Sequence, residues 1–409
     1  MKEKEKVDMK PRILILMHYM ELGGAESALL GLLQSVDPER ADVDVFIYSH
    51  RGELMQYLPT DRISLLGENE DYKYIESPIK ECLSKKKFGI ALGRMIARWT
   101  VDKSPVPKGA DDIRIFSRIA DCVEPFLPDI NPNVEYDLAI SFLIPHNYVI
   151  KKVKAKRKVG WIHTDYSTVY VDVKRELKVW KDLDWIASIS EEVGCKFCEV
   201  FPSLRTKLVQ IENILNSSFI RKRASEQSVV LTNNDNIVSL LTIGRFSYPK
   251  KMEDIPRICS LLKKRGLIVK WFIIGYGSEQ IEETVRTNAK SEGVADDVIL
   301  LGKQDNPYPY IKACDIYVQP SRYEGKSITV REAQILGKPV VVTNYPTAAS
   351  QVSDGIDGVI VPMDVEKCAD GMAEFIRDEE KRRCISAYLR EHDYGNEKEM
   401  EKIYNMALL

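Results

Sequence analysis

RILILMHYMELGGAESALLGLL, residues 12–33, decides the fold class. Residues 12–18 are a near-continuous apolar run, the pattern of a strand covered on both faces. A loop carrying Gly23 and Gly24 follows, after which Ala28, Leu29, Leu32 and Leu33 recur at helical spacing. Strand, glycine turn and helix in that order open a βαβ unit. Further apolar runs at 43–48, 136–142, 158–163 and 185–189, with helical patterns at 168–181 and 191–200, predict a parallel sheet. The periodicity fades over 213–236, a stretch filled with Asn, Ser and charge, where a domain linker is expected. Alternation restarts at 237–243 and runs on through strands at 268–274, 298–301, 315–319 and 339–343. Helices are expected at about 252–265, from 278, through 311 and at 327–336.

A chain of 409 residues exceeds what one core holds, since cores stop growing near about 250–300 residues. The expectation is two doubly wound α/β domains, residues 1–215 and 216–394, whose sheets bring their carboxyl ends to a common cleft, where ligands bind in such folds. Residues from 364 onward read as helical. The amphipathic tail, about 395–409, is far in sequence from the strands of its own domain, and packing back on the first domain is left open.

Composition narrows the function. Apolar residues make up 44% and charged residues 29%, which excludes disorder and coiled coil. Lys plus Arg number 59 against 61 Asp plus Glu, so no overall basic field exists to gather nucleic acid. No apolar run reaches the roughly 18–20 residues of a membrane span, and the charged stretch 1–10 has no signal-peptide core, so the chain reads as cytoplasmic. Eight scattered Cys do not form a secreted disulfide framework; Cys195 and Cys198 make a lone CxxC with no second pair at zinc spacing.

Four segments carry chemistry. In PSRYEGKSITVREAQILG, residues 320–337, a strand leads to Glu324 and Gly325, and a helix starts near Ser327 with Glu332 inside it. Free amides at a helix start, with a glycine before them, suit phosphate, and the two carboxylates suit hydroxyl donors. A phosphorylated sugar presents both. Helix capping by Glu324 and solvation of Glu332 give the same pattern. In IGRFSYPKKM, residues 243–252, a strand delivers Gly244 and Arg245, and Lys250 and Lys251 compete as the second phosphate cation. The Gly23-Gly24 loop lacks the third glycine of the dinucleotide fingerprint, which weakens a nicotinamide reading, yet it lets a phosphate or sugar approach the backbone. Gly275-Tyr276-Gly277 is a weak GxG that marks a tight turn. His163, in GWIHTDYS, ends a strand. The other histidines show no metal or Ser-His-Asp spacing.

Together these segments resemble the retaining nucleotide-sugar glycosyltransferases of family 4, which have the two-domain GT-B fold. The resemblance is strongest over 236–362 and thinnest over 67–132. It rests on the E-x7-E of Glu324 and Glu332, the GR-x5-K of Gly244, Arg245 and Lys251, and the GGAE loop. Met252 stands where the family often has Gly, and Lys326 where it often has an apolar residue; variants with EGKS, as here, look more like capsule, O-antigen and exopolysaccharide enzymes. The resemblance implies an acceptor-side first domain and a nucleotide-sugar second domain. Arg245 and Lys251 would neutralise the donor diphosphate, helped by Gly23, Gly24, Gly244, Gly325, Lys326 and the amides of Ser327 and Ile328. Glu332 would take the ribose, Glu324 the sugar and His163 a sugar hydroxyl, with the base against Gly302, Lys303 and Gln304. It further implies no metal and no cofactor, a UDP-sugar as expected donor, and a glycan or lipid-linked acceptor in cell-surface polysaccharide synthesis. Competing readings are a sugar-nucleotide epimerase or hydrolase on a similar fold, and a catalytically silent sugar-nucleotide-binding partner.

Residues 80–108 hold eight basic side chains, Lys80, Lys85, Lys86, Lys87, Arg94, Arg98, Lys103 and Lys108, against Glu81 and Asp102. Phe88, Leu92, Met95, Ile96 and Trp99 form one helical stripe among them. Such a pattern suits an anionic membrane surface, to which a second basic run, KKVKAKRK at 151–158, would add; solvated helices covering the core give the same pattern.

Overall fold

The computed structural model describes residues 10–107, 110–234 and 236–409. The chain divides into two compact units, one running to Ile214 and including Glu397–Leu409, the other Leu215–Asn396. The first unit holds strands β1 (Arg12–Met17), β2 (Asp42–Ile47), β3 (Ser64–Leu65), β4 (Asp111–Asp112), β5 (Tyr136–Ser141), β6 (Ala155–Ile162), β7 (Val169–Tyr170), β8 (Trp185–Ser188) and β9 (Leu208–Gln210). Seven of them make one sheet in the order β3-β2-β1-β5-β6-β8-β9, every pair parallel, while β4 and β7 pair separately. The second unit holds β10 (Val238–Ile243), β11 (Val269–Ile274), β12 (Val298–Gly302), β13 (Ile316–Gln319), β14 (Val340–Thr343) and β15 (Val359–Val361), ordered β12-β11-β10-β13-β14-β15 and again all parallel. This is the doubly wound Rossmann order, in which the chain reverses direction across the sheet between β10 and β13.

Strands buried on both faces explain the unbroken apolar runs. In β10 and β11, Leu240, Trp271 and Ile273 enter one core while Leu241, Ile243, Phe272 and Ile274 enter the other. Each fully buried side chain of this kind contributes about 1.5–3 kcal/mol.

Two local expectations are corrected. The stretch 168–181 is not one helix: Val169–Tyr170 pairs as a strand, and the helix begins at Val173 behind Asp172, whose carboxylate accepts from the Arg175 amide. The expected linker is partly structured, since Ser217–Arg223 is a helix capped by Asn216 with Ile220 buried in the second unit's core. The CxxC lies on helix Glu191–Val200 with Cys195 exposed and Cys198 buried. Among the described residues no three His, Cys, Asp or Glu side chains converge as a metal set.

Within the first unit the tail returns as helix Met400–Leu408, with Met400, Ile403, Tyr404 and Met406 buried. The Tyr404 hydroxyl accepts from the Asp37 amide at 2.8 Å, and Lys402 donates to the Gln210 carbonyl at 2.9 Å.

Candidate functional site

The reversal point of the second sheet gathers most of the sequence-predicted residues. Gly244 and Arg245 leave the end of β10, and residues 320–326 leave the end of its neighbour β13. The two loops are stitched together. The Arg322 amide donates to the Pro249 carbonyl and its guanidinium to the Tyr248 carbonyl, both at 2.7 Å, while Glu253 pairs with the same guanidinium at 2.7 Å. Gly275 and Gly277 brace the arrangement from β11. A Cβ at 275 would sit 1.9 Å from the Gly244 carbonyl oxygen, and Gly277 adopts φ +151 against Phe246. The GxG is therefore a packing device for the loop that holds Arg245.

Glu324 is 7% exposed and held from several sides. Lys250 Nζ donates to both carboxylate oxygens at 2.7 and 2.8 Å, Ser321 Oγ donates at 2.6 Å and Gln319 Nε2 at 3.1 Å. Behind it the network continues through Gln319 Oε1, which lies 2.7 Å from the Tyr317 hydroxyl, and that hydroxyl lies 2.7 Å from Thr329 Oγ1. A buried polar network satisfied in this way fixes one geometry. Gln319, Ser321, Tyr317 and Thr329 escaped the sequence reading, because polar residues inside an apolar strand and at a helix start carry no periodic signal.

The two competing lysines, Lys250 and Lys251, are placed differently. Lys251 has φ +53 and ψ +33, the left-handed conformation that favours glycine and costs other residues about 1–2 kcal/mol. Its side chain is buried, with Nζ donating to the Met363 carbonyl at 2.6 Å and pairing with Asp254 at 3.0 Å. Lys251 thus holds a conformation that favours glycine, and the lysine facing Glu324 is Lys250. Arg245 is exposed, and its side chain makes no hydrogen bond or ion pair among the described residues.

Helix Ile328–Ile335 begins at Ser327, as expected, but not with all its amides open. Gln351 closes on Ser327 with its amide group, Oε1 accepting from the Ser327 N–H at 3.0 Å and Nε2 donating to the Ser327 carbonyl at 2.6 Å. The Ser327 amide is consequently engaged by protein, which removes it as a phosphate donor and makes Gln351 the brace of the Gly325-Lys326 turn. Ile328 at the first helical position is half-buried. One helical turn further in, Glu332 is buried and accepts from the Tyr308 hydroxyl at 2.9 Å. Burial pushes its carboxyl up to about 7, against the stabilising bond from Tyr308.

At the end of β12, Gly302 adopts φ +68, a conformation that needs glycine, and its carbonyl accepts from the Gly275 amide at 2.9 Å. Lys303 lies 5.0 Å over the Tyr276 ring. Gln304 is tied down at both ends, donating to the Leu301 carbonyl at 2.9 Å and accepting from Tyr310 at 3.1 Å. The loop therefore presents backbone outward.

The first unit carries the remaining candidates. Gly23 precedes helix Gly24–Gln34, and a Cβ there would lie 2.1 Å from Glu26 Oε2, so the carboxylate folds back onto the helix start. Gly24 has nothing within 4 Å of where its Cβ would be, leaving its backbone approachable. His163 follows β6 with its ring 4.5 Å from that of Phe142 and stacked on Trp161. Burial pushes its imidazole down to about 3, so it is neutral, and Nε2 is enclosed with no partner among the described residues.

Residues 223–392 match the family described as glycosyl transferases group 1. This part of the chain is similar to that family. The capsular polysaccharide biosynthesis glycosyltransferase CapM of Staphylococcus aureus is 27% identical over 43% of this chain and 47% of its own length. The lipopolysaccharide core biosynthesis mannosyltransferase LpsB of Rhizobium meliloti is 29% identical over 26% of this chain and 31% of its own. These matches span under half of each relative. Solved structures match over nearly the whole chain: Anabaena HepE in complex with UDP-glucose has a TM-score of 0.67 at 15% identity, covering 97% of this chain and 100% of that one. A glycosyltransferase from Rickettsia africae gives 0.66 at 16%, covering 98% and 99%. The fold is GT-B, two parallel-sheet α/β units, and the second unit supplies the reversal point at which Lys250 meets Glu324.

Proposed function

We propose that the protein is a cytoplasmic, retaining glycosyltransferase that moves a sugar from a UDP-sugar to a glycan or lipid-linked acceptor in cell-surface polysaccharide synthesis. The observation that carries this reading is the Lys250–Glu324 pair at the β10–β13 reversal point, beside an Arg245 that has no partner of its own. Lys250 spends two of its three N–H donors on Glu324, which leaves one for a phosphate oxygen. Arg245 adds a fork that fits the diphosphate. Glu324 takes donor-sugar hydroxyls and Glu332 the ribose. The base lies against the Gly302–Gln304 backbone. Lys250 and Arg245 stabilise the departing diphosphate in place of a metal. The locked state of Glu324, bonded to Lys250, Ser321 and Gln319, makes it a poor nucleophile and favours attack on the face the diphosphate leaves. The bond from C1 to the phosphate oxygen then breaks as the acceptor oxygen bonds C1, and the acceptor proton passes to the phosphate. HepE bound to UDP-glucose and the polysaccharide enzymes among the relatives support the donor and pathway class.

Thermal melting against UDP, GDP, ADP and their sugars, repeated with EDTA, tests the reading. A saturating nucleotide at a hundredfold its Kd stabilises by about 2.7 kcal/mol, which for units of this size raises Tm by several degrees. One nucleotide is expected to do so with EDTA present; no shift with any would overturn the proposal. Donor consumed at full rate without acceptor would favour the epimerase or hydrolase.

The Glu332 carboxyl makes binding pH-dependent. Protonated, it loses the charge that accepts from ribose hydroxyls, so UDP affinity should fall as pH drops below about 7, by up to about tenfold per unit. The unliganded fold responds oppositely. The native state holds this proton longer than the unfolded chain, so stability declines as pH rises from about 4.5 to about 7. Calorimetry of UDP binding across pH checks the first effect, which Glu332→Gln should flatten.

A further inference from the structure

The helix Phe88–Thr100 in the first unit is apolar on two opposite faces. Ile90, Ala91 and Ala97 are buried, and Gly93 closes on helix Arg114–Val123, where a Cβ would lie 2.6 Å from the Cys122 carbonyl oxygen. The opposite face holds Phe88 at 63%, Leu92 at 46%, Met95 at 43%, Ile96 at 38% and Trp99 at 82% exposure. Phe126, also exposed, extends this face beside Gly89, whose Cβ would meet its ring. An amphipathic surface helix normally shows charge where this one shows aromatic and aliphatic side chains.

Charge surrounds the stripe, though in a narrower set than the sequence implied. Arg94 turns inward and donates to the Ile75 carbonyl, Lys87 pairs with Asp71 at 2.9 Å, and Lys108 lies outside the described residues. Lys80, Lys85, Lys86, Arg98 and Lys103 are exposed, and their side chains make no hydrogen bond or ion pair among the described residues. Of the two acids, Asp102 is already held by Arg114 and Ser104. In the second basic run only Lys151 and Lys154 are exposed with side chains that make no hydrogen bond or ion pair among the described residues. Lys152 pairs with Glu124, Lys156 with Asp137 and Arg157 with Asp184, and Lys158 donates to the Ile150 carbonyl.

We propose that this helix face docks on an anionic phospholipid bilayer, with Phe88, Leu92, Met95, Ile96 and Trp99 entering the headgroup–acyl boundary and the five free cations resting on the lipid phosphates. An anionic bilayer offers both chemistries that the surface shows, hydrocarbon beneath and negative charge above. A second copy of the chain would set like charge against like charge. No described helix is long and apolar enough to cross a membrane, so the contact is with its surface. The proposal stands apart from the sugar-transfer reading, since none of these residues belongs to that site.

Flotation of the full chain with phosphatidylglycerol–phosphatidylcholine vesicles, against phosphatidylcholine alone at about 0.15 M salt, tests it. The chain should float with the first and stay down with the second. Lys85→Glu with Lys86→Glu, and separately Phe88→Ser with Trp99→Ser, should each cut binding by about tenfold or more while Tm and nucleotide binding stay as they were. Trp99→Phe keeps the apolar face. It should leave flotation intact yet abolish fluorescence quenching by brominated lipid, because the other tryptophans are buried or half-buried. No flotation with anionic vesicles, equal flotation with neutral ones, or binding indifferent to both double variants would overturn the proposal. So would a dimer in solution that the Phe88 and Trp99 changes dissolve without any vesicle binding.

Discussion

Replacing Lys250 by alanine should lower kcat/KM for sugar transfer about a thousandfold, or about 4 kcal/mol of transition-state stabilisation, whereas Lys251→Gly should leave turnover within a few-fold of the parent. The first change removes the ammonium bonded to Glu324 that, on the proposed function, also meets the diphosphate, and electrostatic groups of this kind are worth about 10²–10³ in rate or more where a second partner is stranded. The second removes a side chain bound to Met363 and Asp254, away from Glu324, and relieves a left-handed backbone. Its stability effect is the difference between about 1 kcal/mol of relieved strain and the lost buried contacts. Steady-state transfer with both variants, together with their melting curves, separates the two lysines. Near-normal transfer by Lys250→Ala alongside loss in Lys251→Gly would return the role to Lys251.

Glu324→Gln should be nearly as damaging, reducing kcat by about a hundredfold to a thousandfold in a protein that still folds. The substitution keeps the shape but removes the charge that holds Lys250, and one of its two polar ends must now donate where Ser321 and Gln319 also donate. Glu324→Ala should fold less stably, since it leaves those buried donors without an acceptor at about 1–3 kcal/mol. Measuring donor affinity alongside turnover distinguishes a binding role from one expressed in the transition state. Turnover within threefold of the parent in Glu324→Gln would remove this carboxylate from the chemistry.

The sheets were readable because a strand covered on both faces has no polar alternation to hide it, as in β1, β5 and β11. The short strands were not. Val169–Tyr170 sits in a sequence whose neighbours suit a helix, and Val359–Val361 is three residues at a sheet edge. Ser217–Arg223 was invisible for a different reason: its inward positions are few, and its Asn, Ser and basic residues match a loop composition. Sheet order cannot be read from a strand's own residues at all, since any parallel strand presents the same pattern. At the site, Glu324, Glu332, Arg245 and the glycines were legible as motifs. The one-residue offset between Lys250 and Lys251 was not, because it depends on which of two identical side chains the backbone turns left-handed. Gln351 lay beyond reach, being joined to Ser327 only by the fold.

The returning tail has a consequence for how the protein is made. Residues 397–409 belong to the unit that also holds the residues up to Ile214, supplying Tyr404 to the turn at Asp37 and Lys402 to Gln210. The intervening unit is built from contiguous chain, so it can close on itself as soon as it leaves the ribosome. Of these two units the one that emerges earlier is therefore finished later: it must wait on the nascent chain, one helix short, until some two hundred further residues have been synthesised.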